Sequence, residues 1–242
     1  MNNNFVLITG GSSGIGGALA RRFAKAGSEV FVCGRRNEKV EEISKLPRIT
    51  GLVCDISRKS ERENLIKEVL TRFPKLNILI NNAGIQVRGP KYQDSPSWDP
   101  ISYEIETNFS APIHLCMLLA NHFTKQPKAS IVNVTSGLAL APLALIPDYC
   151  ATKAGLRSFT KSLRQQLKGT STEVIEVVPP AVNSDLGGKD LHTFGVPLDE
   201  FADHVFNEIR QGKIEIGYGT SLKLLSASKN ELDKIFQGMN NT

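Results

Sequence analysis

The chain has 242 residues, 40% of them hydrophobic, with 29 lysines and arginines against 24 aspartates and glutamates, a formal charge of +5. That length and apolar content can bury one large core, and no Pro/Ser-rich or charge-rich linker divides it, so one domain over residues 1–242 is expected. The basic residues are spread along the chain without a dense cluster, which leaves nucleic-acid binding unsupported and points to a mild preference for anionic small molecules.

Cys33, Cys54, Cys116 and Cys150 form no C-x-x-C pair, and His114, His122, His192 and His204 form no H-E-x-x-H, so neither a metal site nor a disulfide scaffold is expected. The start, Met1-Asn2-Asn3-Asn4 and the short run Phe5 to Ile8, lacks the basic flank and length of a signal peptide. The longest apolar run, Leu138 to Ile146, is about half a membrane span and contains Pro142. A cytoplasmic protein with no membrane partner is the expectation.

Short runs rich in Val, Ile and Leu recur between segments of helical period: Phe5 to Thr9, Glu29 to Cys33, Gly51 to Cys54, Asn77 to Ile80, Ser130 to Val134, Val174 to Val178 and Ile214 to Ile216. This is the rhythm of an α/β protein with a doubly wound parallel sheet of about seven strands and helices on both faces. After the first strand comes Thr9-Gly10-Gly11-Ser12-Ser13-Gly14-Ile15-Gly16, opening a helix expected to run to about Ala26. Glycines there remove Cβ atoms where a pyrophosphate would approach the backbone, and a helix amino terminus offers unpaired N–H groups. The spacing G-x-x-x-G-x-G departs from the G-x-G-x-x-G dinucleotide fingerprint. The alternative, a flexible Gly/Ser turn, is disfavoured by the strand before it and the helix after it.

In a dinucleotide-binding fold the adenosine ribose is read about 20 positions past the glycines, at the end of the second strand. That place reads Gly34-Arg35-Arg36. An acidic residue would accept from the 2′-hydroxyl of NAD, whereas an arginine can pair with the 2′-phosphate of NADP for ~1.5 to 3 kcal/mol, so NADP(H) is favoured over NAD(H). The third strand ends in Asp55-Ile56, the fourth in Asn81-Asn82-Ala83-Gly84, Ser136 follows the fifth, and Pro179-Pro180 follows the sixth. Ligands of open α/β sheets bind outside the carboxyl ends of the strands, and every polar or glycine-rich feature chosen on chemical grounds falls at such an end. Two irregular stretches leave from that edge: Gln86 to Ile101, and Asp185 to Leu198 with Gly187-Gly188 and Pro197. Such loops are often lids or substrate walls; a substrate loop is expected within residues 185–205, and Tyr92, Trp98 and Phe194 are candidates to line a pocket or fill a hinge.

A helical pattern runs from about Ser102 to Lys125, with an apolar stripe Ile105, Phe109, Ile113, Cys116, Ala120, Phe123, and a second stripe follows later, Leu156, Phe159, Leu163, Leu167. Pro112 stands four residues after Asn108 and has no N–H to give to its carbonyl, so that oxygen is left free or offered a weaker neighbour; a packing kink without further consequence is the competing reading. Tyr149 and Lys153, four apart, share one helix face. Bringing a tyrosine from a pKa of about 10 to neutrality takes ~3 units, or roughly 4 kcal/mol, which one adjacent ammonium in a partly dry site could largely supply.

Taken together, the chain resembles a short-chain dehydrogenase/reductase, and within that family the DltE-like branch of bacterial oxidoreductases. The resemblance runs from Thr9 to about Ser184 and rests on Thr9-Gly-Gly-Ser-Ser-Gly-Ile-Gly16, Asp55, Asn81-Asn-Ala-Gly84, Asn108, Ser136, Tyr149-x-x-x-Lys153 and the Pro179 segment, in that order. It implies a Rossmann-type fold and an NADP(H)-dependent oxidoreductase moving a hydride between nicotinamide and a small-molecule carbonyl or alcohol. Tyr149 would be the general acid/base, Ser136 would hold the substrate oxygen, Lys153 would lower the tyrosine pKa and bind the nicotinamide ribose, and Asn108 would anchor a water relay to Lys153. Cofactor contacts are implied for Gly10, Ser12, Ser13, Gly14, Ile15, Gly16, Arg35, Arg36, Asp55, Ile56, Asn81, Ala83, Gly84, Tyr149, Lys153 and Pro179, with Val182 and Ser184 at the nicotinamide carboxamide. It also implies a homodimer or homotetramer paired through the helices carrying Asn108 and Tyr149. One position departs: the family has Pro-Gly after the sixth strand, and Pro180 here stiffens the backbone and removes an N–H. A catalytically silent dinucleotide-sensing regulator is the alternative, and the intact Asn108, Ser136, Tyr149 and Lys153 argue against it. A serine hydrolase built on Ser136 lacks a G-x-S-x-G and a placed histidine.

Overall fold

Side chains alternate along a strand, so a run such as Val6-Leu7-Ile8 that is apolar at every position must be covered on both faces. The computed structural model, which describes residues 3–89 and 92–241, shows that arrangement. Strands β1 (Phe5–Thr9), β2 (Glu29–Gly34), β3 (Ile49–Val53), β4 (Ile78–Asn81), β5 (Ala129–Val134), β6 (Thr172–Val178) and β7 (Glu215–Gly217) form one parallel sheet in the order β3-β2-β1-β4-β5-β6-β7. Each expected run is a strand, with ends shifted by at most two residues. The register is continuous: Val6 lies beside Val30 of β2 and Ile78 of β4, and Val132 of β5 lies beside Ile80 and Ile175.

The helices are α1 (Gly14–Lys25), α2 (Asn37–Ser44), α3 (Lys59–Arg72), α4 (Trp98–Ile105), α5 (Ala111–Phe123), α6 (Pro147–Gln166), α7 (Leu198–Arg210), α8 (Thr220–Ser226) and α9 (Lys229–Asn240). Val6, Ile8, Val30, Val32 and Ile80 pack on Leu19 and Phe23 of α1 and Phe201 and Val205 of α7. Leu7, Phe31, Leu79 and Ile131 point the other way, onto Leu65 of α3, Leu115 and Leu119 of α5 and Leu163 of α6. Each such fully buried side chain contributes about 1.5–3 kcal/mol. The strand order reverses at β1, between β2 and β4, where a doubly wound sheet opens its ligand crevice.

Two expectations on element bounds change. The pattern from Ser102 to Lys125 is not one helix: α4 ends at Ile105, a π turn occupies Glu106–Ser110, where the Ala111 N–H reaches back five residues to the Glu106 carbonyl, and α5 follows. The inserted residue shifts the helix phase, so the expected stripe divides. Cys116 and Phe123 enter the core beside Leu115 and Leu119, while Ile105, Phe109, Ile113 and Ala120 are only half-buried. The span 185–205 overruns its loop, because Leu198 onward is α7, whose Phe201, Ala202 and Val205 are fully buried. Tyr92 and Trp98, in the Gln86 to Ile101 stretch, and Phe194 are 61%, 63% and 77% exposed. Pro90 and Lys91 of that stretch lie outside the described residues.

Candidate active site

All seven strands run the same way, so the residues that follow β1, β2, β3, β4, β5 and β6 lie along one edge of the sheet. At the end of β1, Gly14 adopts φ +52°, and a Cβ on Gly16 would stand 2.4 Å from Asn82 Nδ2 and 2.5 Å from the Gly10 carbonyl oxygen. Only glycine allows the first turn of α1 to approach the exit of β4 this closely. Ser13 caps α1 without bonding its side chain to the helix, and its Oγ instead accepts from Arg36 Nη2 at 2.6 Å. The helix terminus is therefore left with N–H groups and a positive dipole end directed to the crevice. Gly10 lies against Ala83, Ser12 lies against Gly34, and Ser184 reaches the Cβ position of Gly14 at 4.0 Å. Ile15 packs on the core. A cradle that side chains would fill, an uncapped helix terminus and two arginines at its rim fit a dinucleotide.

At the end of β2 and β3 a short chain of contacts forms. Arg35 Nη1 donates to Tyr103 Oη at 2.5 Å, with the guanidinium 5.4 Å from that ring's centroid, and Tyr103 Oη donates to Asp55 Oδ2 at 2.8 Å. Burial works against ionising Asp55, but the Tyr103 hydroxyl, the Ser57 N–H and hydroxyl and the Arg35 charge together hold its carboxyl below the usual value. Ile56 is buried, and its carbonyl oxygen accepts from Arg62 Nη1 at 2.6 Å; Arg62 Nε in turn meets His114 Nδ1 at 3.0 Å. Nothing in the sequence singles out Tyr103, since one tyrosine in a helical pattern has no motif.

At the exit of β4 the Asn81 side chain turns away from the crevice. By strand alternation its side chain faces α5, where Nδ2 donates to Asn133 Oδ1 at 2.8 Å and contacts Cys116 Sγ at 3.4 Å, so only its main chain remains for a ligand. Asn82 ties the crevice instead, through Nδ2 to the carbonyls of Thr9 at 3.0 Å and Gly10 at 3.3 Å, while Ala83 N–H donates to Thr9 Oγ1 at 3.1 Å.

Beyond it, Asn108, Ser136, Tyr149 and Lys153 are all buried, at 0%, 8%, 5% and 3% exposure. Asn108 sits in the π turn and grips Ile85 from both sides: Oδ1 accepts from Ile85 N–H at 2.9 Å and Nδ2 donates to the Ile85 carbonyl at 2.8 Å. Ser136 Oγ accepts from Leu138 N–H at 3.1 Å and starts the 3-10 turn Gly137–Ala139. The residue before it, Thr135, donates to the buried carboxylate of Glu176 at 2.7 Å, and Arg157 pairs with the other Glu176 oxygen at 2.6 Å, an arrangement that fixes the strand end carrying Ser136. Lys153 Nζ donates to the Val134 carbonyl at 2.9 Å and stands 5.7 Å from the centroid of the Tyr149 ring. Cys150, also buried, accepts from Leu143 N–H through Sγ at 3.3 Å, and Leu186 packs beside Ile146 and Tyr149.

Enclosure shapes the electrostatics of this group. Burial pushes the Tyr149 phenol well above its ordinary value, the Ser136 hydroxyl works against this, and the charges of Cys150 and Glu104 add to the rise. Burial also lowers Lys153 to about 8, opposed by Glu104. The Lys153 ammonium is itself desolvated, and its Nζ is directed to the Val134 carbonyl. The protein by itself holds a neutral phenol, the form that can give a proton. After β6, the Pro179 carbonyl accepts from Gly137 N–H at 2.9 Å. Val182 is 5% exposed, its side chain in the core and its main chain bridged to Val196, so the side chain is unavailable to a carboxamide and Ser184 alone of that pair faces the glycine loop.

The profile of the family described as short chain dehydrogenase matches residues 4–193. The chain is 44% identical over 246 residues to the uncharacterized oxidoreductase DltE of Bacillus subtilis (strain 168), covering 99% of this chain and 98% of that protein. It is 35% identical over 186 residues to a tropinone reductase homolog of Datura stramonium, covering 74% and 69%. Among solved structures it is similar to a short-chain dehydrogenase from Sphingobium yanoikuyae in complex with NADPH, with a TM-score of 0.82, 25% identity and 98% and 94% of the two chains covered. A short chain dehydrogenase/reductase from Burkholderia phymatum in complex with NAD superposes with a TM-score of 0.86 at 18% identity, over 97% and 95%. Among the described residues no helix is long and apolar enough to cross a membrane, and no group of His, Cys, Asp and Glu could hold a metal ion.

Proposed function

Because this chain belongs to the short-chain dehydrogenase family, in its DltE-like branch, we propose that it is an NADP(H)-dependent oxidoreductase acting on a small-molecule carbonyl or the corresponding alcohol. The observation that carries this reading is the convergence of Ser136, Tyr149, Lys153 and Asn108, all buried, on the sheet edge that also bears the glycine cradle. NADPH, when bound, supplies the hydride that reduces the carbonyl carbon.

The chain's own residues do the rest. Gly10, Ser12, Ser13, Gly14, Ile15 and Gly16 would receive the pyrophosphate on the α1 terminus, with Ile15 contributing through its main chain. Arg35 and Arg36 would meet the 2′-phosphate, Asp55 and Ile56 the adenine, and Asn81, Ala83 and Gly84 the adenosine side through main-chain atoms. Lys153 would hold the nicotinamide ribose, and Pro179, Val182 and Ser184 would border the nicotinamide, Val182 through its main chain. Ser136 holds the substrate oxygen, and Tyr149 gives its phenolic proton to that oxygen as the carbonyl becomes an alcohol; in reverse the phenolate takes the proton back. The loop from Asp185 to Pro197, which brings Leu186 onto the Tyr149 cluster, would serve as the substrate wall.

The test is NADPH consumption by the pure protein over a panel of aldehydes, ketones and quinones, 4-nitrobenzaldehyde among them. The reading expects consumption by the wild type and its near abolition in Tyr149→Phe, with folding and cofactor binding intact. Consumption by the variant at near wild-type rate would remove Tyr149 as the acid.

A further inference from the structure

Glu104 is 0% exposed, on α4 one helical turn before Asn108. Its Oε1 accepts from Val87 N–H at 3.3 Å and from Asn108 Nδ2 at 3.5 Å, and its Oε2 has no partner among the described residues. Asn108 holds Ile85 and Glu104 holds Val87, so two side chains of one helix face grip the chain as it leaves β4. Within that segment Gly84 is the close neighbour of Lys153: a Cβ there would stand 3.5 Å from Lys153 Nζ and 3.4 Å from Asn108 Oδ1. The charges near Glu104 come from α6, Asp148 and Lys153, and Tyr149 and Cys150 of the same helix feel its own charge. Lys153 makes no ion pair within 4.0 Å among the described residues, its bonded partner being the Val134 carbonyl. An unpaired buried ammonium is costly, and a buried carboxyl across the Asn108–Gly84 contact is the compensation this site offers.

We infer that Glu104 is a positioning residue of the proton-transfer site: with Asn108 it holds the segment from Gly84 to Val87 beside Lys153, and its buried carboxyl is the acidic group that offsets the enclosed Lys153 ammonium. This rests on the roles proposed above for Tyr149 and Lys153. Burial raises the Glu104 carboxyl to about 7, Val87 N–H lowers it, Asp148 raises it and Lys153 lowers it. The sign follows. Above neutrality Glu104 is ionised, and its charge is one of the influences that leave Lys153 at about 8, so removing that charge lets the buried lysine lose its proton at lower pH.

Two measurements on the full-length protein decide this. With NADPH and 4-nitrobenzaldehyde, Glu104→Gln keeps the volume and an acceptor for Val87 N–H. Its activity should fall away on the alkaline side about one pH unit earlier than in the wild type, a tenfold change in proton binding, with KM little changed. In infrared titration, which needs no substrate, the wild type should show a protonated-carboxyl band that disappears through neutrality, and Lys153→Met should hold that band to higher pH. An alkaline limb unmoved in Glu104→Gln, or a band indifferent to Lys153→Met, overturns the inference; if Glu104→Gln does not fold, the infrared result decides alone. An inactive Tyr149→Phe beside an unmoved limb overturns this inference only, whereas an undiminished Tyr149→Phe overturns the proposed function with it.

Discussion

Adjacent residues on α4 serve opposite ends of the crevice. Tyr103 is half-buried and links Arg35 to Asp55, and Glu104 is buried and holds Val87, because successive helical positions are turned about 100° apart. Neither is legible in the sequence, where an isolated tyrosine or glutamate in a helical pattern has no spacing to mark it. The arginines are legible because their place is fixed by distance from the glycines. Arg36 lies on Ser13 of the cradle and Arg35 on Tyr103, so both guanidiniums stand at the rim with donors left to offer. Replacing both by alanine should weaken NADPH binding by about one to two orders of magnitude and leave NADH nearly unchanged. Titration of the two cofactors by fluorescence checks it, and equal losses for both would remove the phosphate-reading role.

Among the elements, the seven strands are legible because a sheet covered on both faces demands short runs rich in Val, Ile and Leu, and seven such runs recur between segments of helical period. The π turn is not: one residue inserted in a helix leaves no change in composition, and the only hint is Pro112. That proline is buried in the first turn of α5, and without an N–H it can bond neither to the Asn108 carbonyl nor to that of Thr107. By contrast α7 is readable and is overrun by the expected substrate loop, since Leu198, Phe201, Ala202, Val205, Phe206 and Ile209 follow a helical period. If the opening around Asn108 serves the proton relay, Pro112→Ala should let the helix close and lower kcat roughly tenfold, a fraction of the ~10²–10⁴ that positioned proton transfer contributes, with NADPH affinity almost unchanged. Steady-state kinetics beside a cofactor titration distinguish this from a packing kink, for which kcat would stay at the wild-type value.

At the scale of the molecule, the site is assembled from distant parts of the chain. Asn108 stands in the π turn, Ser136 after β5, and Tyr149 and Lys153 on α6; the carboxyl-terminal helix also takes part, since Asn240 of α9 accepts from Ala144 N–H at 2.6 Å and donates to the Pro142 carbonyl at 3.1 Å, tying down the loop that leads into α6. The order of motifs along the chain makes this edge legible, because a parallel sheet brings all its carboxyl ends together. What spacing does not convey is desolvation, which raises Tyr149 and lowers Lys153 once they are enclosed. The central claim is that hydrogen passes directly to a carbonyl carbon while Tyr149 serves its oxygen. The most direct test supplies NADPH carrying deuterium at both positions of nicotinamide C4, with whichever panel carbonyl is reduced fastest, and locates the label by mass spectrometry and NMR. Deuterium on the carbinol carbon in the wild type, with almost no alcohol formed by Tyr149→Phe, is the predicted result; an alcohol without the label, or labelled alcohol formed as fast by the variant, would contradict it.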